Sequence, residues 1–218
     1  MKILVTGFDP FGGEQVNPAY EAVKMLPDRI AGAEIIKEEI PTVFSKSWRA
    51  VEDGIRKYEP DVVVNVGQAG GRAHVTIEQV GINLADARIP DNDGEQPLNQ
   101  PLQPDGDTAY FATIPVRAMV QNVRSHGLPC SISYTAGTYV CNCVMYNVLY
   151  LAAKKYHGLK AGFIHVPYAM EQLIGKDAST PGMSLHDIAS SLEYALEAIA
   201  SGEKESAEPL HGIQGTIC

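Results

Sequence analysis

No run of apolar residues in this chain approaches the ~18 that a helix needs to cross a bilayer, which excludes a helical membrane span. Positive charge is also scarce: 17 Lys and Arg stand against 26 Asp and Glu, a formal net charge of −9. No cluster of Lys and Arg forms a local basic stripe, so the surface repels phosphate backbones and no nucleic-acid partner is expected. Four cysteines in 218 residues, in a chain expected to be cytoplasmic, read as thiols rather than a disulfide framework. The opening KILVTGFDPFGG has too short an apolar run and too much glycine for a secretory signal, which points to a cytoplasmic protein with reduced thiols. Repeats and low-complexity blocks are missing. GFDPFGG lacks the Lys-Ser/Thr ending of a phosphate loop, and GQAGGR does not match a dinucleotide-binding turn.

What the chain does have is strand-like and helix-like segments in alternation. Residues 2–7 and 34–40, the Val-rich run at 61–66, and 75–84, 130–134 and 161–166 read as strands. Residues 18–26, 45–58, 115–126, 142–156 and 184–201 read as helices, with Pro18 suited to a first helical position and Ser45 to a cap. Between strand 75–84 and helix 115–126 lies a long polar loop, 85–108, of a length that is usually functional or mobile. The alternation predicts an α/β sandwich with a largely parallel central sheet in one domain, residues 1–201. A polar tail, 202–218, is expected to fray.

Ligands of open α/β sheets bind beyond the carboxyl ends of the strands, so the segments following each strand carry the candidates. Cys141 ends TAGTYVC at or just before a helix start, where free backbone N–H groups stabilise a thiolate and an oxyanion. The alternative is a small buried hydrophobe. Cys143 follows two residues on, but the spacing is wrong for a structural metal and Cys130 and Cys218 supply no second pair, so no metal is expected. His165 interrupts the apolar run AGFIHVPY where a strand must end at Pro167, a position suited to a general base or to a satisfied core histidine. Glu78, in the mostly apolar VTIEQVGIN, is either a buried carboxylate that needs a partner or an edge residue facing water. Phe8 and Phe11 flank Pro10 in a Gly-rich loop and could line an apolar pocket.

In this order the blocks VTGFDPFGG, GQAGGR with IEQVGIN, DARIPDN, TAGTYVCN and FIHVPY resemble those of type I pyroglutamyl peptidases, up to about Tyr168. The resemblance implies a single α/β/α domain, a cytoplasmic cysteine peptidase without metal or cofactor, and a homotetramer. It implies Cys141 as nucleophile, His165 as base and Glu78 as the acid that orients it. It further implies a pocket for the N-terminal pyroglutamyl residue of peptides, lined by Phe8, Phe11, Gln68, Ile89 and Tyr139 with Val140, and it puts Arg88 near the oxyanion. Two readings from other classes stay open on the residues alone: a nucleoside-phosphorylase-like binding module, and a non-catalytic domain in which Cys141 is merely buried.

Overall fold

The computed structural model describes residues 1–204, 210, 212 and 214. In chain order its first elements are β1 (Lys2–Phe8), α1 (Pro18–Met25), β2 (Arg29–Ile30), β3 (Ala33–Ile40), α2 (Ser47–Tyr58), β4 (Val62–Gln68) and β5 (Val75–Glu78). Next come β6 (Val80–Ile82), β7 (Ala109–Phe111), α3 (Val116–Ser125), β8 (Cys130–Ser133), α4 (Val140–Lys154) and β9 (Lys160–Val166). The last are β10 (Tyr168–Ala169), a 3₁₀ turn (Met170–Leu173), β11 (Gly182–Met183) and α5 (Leu185–Ala200).

Seven strands form one sheet in the order β2-β3-β1-β4-β9-β5-β8. Pairing is parallel from β3 through β1 and β4 to β9 and between β5 and β8, and antiparallel where β2 meets β3 and where β5 meets β9. The sheet is thus largely parallel, as its apolar strands require. Burial on both faces demands a helix layer on each side. Ile3, Val5, Val64, Ile77 and Ile164 turn to the layer of α1, α3 and α5. Leu4, Phe8, Val63 and Phe163 turn to the layer of α2 and α4. Alternation along each strand then sends Gly67, Thr76, Glu78 and His165 to the α4 side.

Several expectations are corrected. Ser45 does not cap α2; Lys46 is the N-cap without a side-chain bond, and the Ser45 hydroxyl donates to Glu95 Oε1 at 2.5 Å instead. The strand expected over 75–84 breaks at Gln79, because the chain leaves the main sheet there and β6 pairs with β7. Gly81 lies so close to α4 that a Cβ on it would stand 3.1 Å from the Tyr146 backbone. The loop 85–108 is firmly tied: Asp91 accepts from the N–H groups of Phe44, Asp93 and Glu95, and Asn83 accepts from Leu102 and Gln103 and donates to the Gln103 carbonyl. Leu210 packs on the core, and Gln214 Oε1 accepts from the edge-strand N–H of Ile132 at 3.0 Å, so those tail residues are held. Most of the 202–218 tail, with His211 and Cys218, lies outside the described residues.

Candidate active site

A cavity of about 490 Å³ opens at the carboxyl ends of β1, β4 and β9. Its floor is β4. A Cβ on Gly67 would stand 2.9 Å from Cys141 Sγ and 2.8 Å from the Phe163 ring, so only glycine lets the start of α4 settle this close to the sheet. Cys141 is the second residue of α4, inside its first turn and two residues after the N-cap Tyr139. Tyr139 makes no side-chain cap bond, which leaves the first-turn N–H groups without that competitor.

The antiparallel entry of β5 beside β9 assembles the rest. Thr76 lies opposite His165 and Glu78 opposite Phe163, which makes Glu78 the diagonal same-face neighbour of His165. Glu78 is fully buried, and its Oε1 accepts from His165 Nδ1 at 2.7 Å. This bond directs the other ring nitrogen, Nε2, away from the carboxylate, and His165 and Cys141 both line the cavity. Arg72 Nη1 also meets Glu78 Oε1, at 2.6 Å, and donates to the Thr76 hydroxyl, while Nη2 donates to the Thr135 carbonyl at 3.1 Å.

These surroundings set the protonation states. Burial pushes Glu78 up, but the His165 bond and the Arg72 charge outweigh it and hold the carboxyl below its usual value. Burial pushes His165 down against the lift from Glu78, so the imidazole is neutral near pH 7. The Cys141 thiol is pushed up to about 12 by burial and then by Glu78, with Arg72 offsetting part. Burial thus works against the thiolate that the helix start favours, and the imidazole is the group placed to take the thiol proton.

Phe8, Phe11, Gln68, Arg88, Ile89 and Tyr139 all line the cavity. Phe11 and Tyr139 form one wall, with ring centroids 6.2 Å apart, and the Tyr139 hydroxyl donates to the Pro90 carbonyl. Gln68 Oε1 accepts from Gln172 Nε2 at 2.9 Å, tying the pocket to the 3₁₀ turn. Val140 is the exception: its side chain is fully buried in the layer between α4 and the sheet, outside the cavity wall. Sequence reasoning missed Arg72, Asp86, Thr135 and Thr138, which also line the cavity. Only Arg72 left a signal, as a cation directly before a strand carrying a buried acid. A larger depression, about 640 Å³, lies beside Asp61 and His157 at the opposite ends of β4 and β9 and contains no cysteine. Among the described residues, no three or more His, Cys, Asp and Glu gather as metal ligands, and no helix is long and apolar enough to cross a membrane.

A family model described as pyroglutamyl peptidase matches residues 1–202. The pyrrolidone-carboxylate peptidase of Clostridium perfringens is 52% identical over 218 residues, 100% of both chains. That of Enterococcus faecalis is 56% identical over 205 residues, 94% of this chain and 96% of the relative. The crystal structure of pyroglutamyl peptidase I from Bacillus amyloliquefaciens superposes with a TM-score of 0.92 at 42% identity, covering 95% of this chain and 99% of that one. Pyrrolidone carboxyl peptidase from Thermococcus litoralis gives 0.90 at 36%, covering 96% and 99%.

Proposed function

The chain belongs to the pyroglutamyl peptidase family, and from that premise we propose that Cys141, His165 and Glu78 carry its removal of N-terminal pyroglutamyl residues from peptides. The observation that carries the assignment is the buried 2.7 Å bond from His165 Nδ1 to Glu78 in the wall of the cavity that also holds Cys141.

His165 Nε2 takes the thiol proton as the sulfur attacks the pyroglutamyl carbonyl. The carbonyl oxygen becomes an oxyanion beside the first-turn N–H groups of α4, where one such donor is typically worth about 3–4 kcal/mol. Arg88, exposed in the wall, adds positive charge on that side. The imidazolium, stabilised by Glu78, then protonates the departing amine and leaves a thioester on Cys141. Water, deprotonated by the same imidazole, hydrolyses it and returns the free thiol. Phe8, Phe11, Gln68, Ile89 and Tyr139 enclose the lactam ring, with Val140 acting through packing beneath Tyr139.

The reading extends to a single catalytic domain over 1–201 with a tail at 202–218, a cytoplasmic setting and a homotetramer. The test is release of a fluorescent amine from a pyroglutamyl conjugate, with and without iodoacetamide. Turnover that stops on labelling of Cys141 supports the reading; turnover that continues with Cys141 fully labelled overturns it.

A further inference from the structure

Glu78 is fully buried, His165 and Arg72 meet the same oxygen, Oε1, and the Ser133 hydroxyl also favours its ionised form. Burial raises the cost of the Glu78 charge, and the guanidinium beside it offsets part of that cost, so this cation matters to the chemistry. That cation is Arg72, delivered by a turn built for it. Gly71 has φ +92°, a conformation that favours glycine, and Gly70 presses on the Tyr168 ring, where any Cβ would clash. Arg72 N–H closes the turn on the Ala69 carbonyl at 3.3 Å.

The other arm of the guanidinium reaches a different part of the site. Nη2 donates to the carbonyl of Thr135, in the stretch that joins β8 to the N-cap Tyr139 and so leads directly into Cys141. One planar group therefore ties the strand bearing the acid to the segment delivering the nucleophile, a task for which a guanidinium fork is suited and an ammonium is not.

We propose that Arg72 is a positioning residue for the reaction, supplying the counter-charge of Glu78 and fixing the 134–139 segment so that Cys141 is held against His165. The inference rests on the triad assignment above. The charged groups facing the pair are few. Arg72 acts on both directly, Asp86 and Arg88 lie in the cavity wall with the Cys141 thiol, and His74 with Arg124 lies beyond Arg72. Arg72 holds both Glu78 and His165 toward lower pKa, so removing its charge raises both.

The experiment compares Arg72→Gln and Arg72→Lys with the unaltered enzyme, reading kcat, KM and the pH profile of kcat/KM on a pyroglutamyl fluorogenic amide, with Cys141→Ala as control. Arg72→Gln is expected to lower kcat by about 10- to 10³-fold, less than the ~10⁴-fold typical of a lost triad acid. Its acid limb should move to higher pH with KM little changed. Arg72→Lys should return the acid limb to its original position and recover only part of kcat, because the charge is kept and the fork is lost. Three results overturn the inference: Arg72→Gln within threefold of the unaltered enzyme, a loss of kcat with an unmoved acid limb, or loss of the folded state in both variants. Turnover by Cys141→Ala would instead overturn the triad assignment, whatever the Arg72 variants do.

Discussion

Cys141 and Cys143 stand two positions apart on α4, and their surroundings separate them. Cys143 is buried in the core, its Sγ donating to the Phe44 carbonyl at 3.6 Å and accepting from Asn147 Nδ2 at 3.5 Å. Cys141→Ala is therefore expected to abolish hydrolysis of a pyroglutamyl amide, while Cys143→Ala keeps kcat within about threefold and loses roughly 1 kcal/mol to the small cavity, read by denaturant titration. Glu78 and His165 set the pH behaviour. The imidazole must be neutral to accept the thiol proton, and burial depresses its pKa, so activity falls as pH drops through a midpoint below that of an ordinary histidine. Replacing Glu78 with Gln removes the group that lifts His165. The acid limb of kcat/KM should then move to still lower pH, while kcat drops by about 10²–10⁴-fold. An acid limb that stays in place or moves upward would show that the carboxylate does not act through the imidazole.

Elements place these residues, and their legibility in the sequence was uneven. The Val-rich run that became β4 and the helix-like segments that became α3 and α5 were readable locally, because burial leaves its mark in the pattern. Strand direction leaves no such mark. Nothing in VTIE says that β5 runs antiparallel to β9, and that reversal is what sets Glu78 diagonal to His165. Cys141, His165 and Glu78 stood out through their odd company: a thiol ahead of a helix, and a base and an acid inside apolar runs. Arg72 stayed hidden because GQAGGR reads as a turn, and its partner Thr135 lies 63 positions away. Contacts at that range follow from topology alone. The start of α4 depends on one more residue, Asn142. It accepts from Ile82 N–H and donates to the Ile82 and Leu84 carbonyls, each near 3 Å, so α4 and the strand leaving the sheet share a buried bracket. Asn142→Ala takes the side-chain partner from Ile82 N–H and from the Leu84 carbonyl, while the Ile82 carbonyl keeps the Leu84 N–H at 2.8 Å. At about 1–3 kcal/mol for a buried group, a loss of about 3 kcal/mol is expected, lowering Tm by roughly 6–12 °C in a thermal scan. A shift under about 2 °C would mean that the bracket is dispensable.

Across the whole molecule, large apolar side chains stand in the open: Phe111 and Leu98 are each 65% exposed, and Ile174 is 88% exposed. Such groups fit the proposed homotetramer, in which partner subunits would cover some of them. Light scattering at micromolar concentration should return the mass of four chains; a monomer at every concentration would dismiss the assembly. The strand order has a different consequence, one that concerns how the chain is made. The last strand of the main sheet in sequence, β9, occupies the position between β4 and β5. A chain synthesised only as far as α4 holds its nucleophile but not its base, and the lane between β4 and β5 has no strand to fill it. Closing that lane joins segments far apart in sequence, so it comes late and carries a large loop-closure cost. The unfinished chain thus carries a sulfur with no imidazole to activate it, and the enzyme stays inert until its central strand is in place.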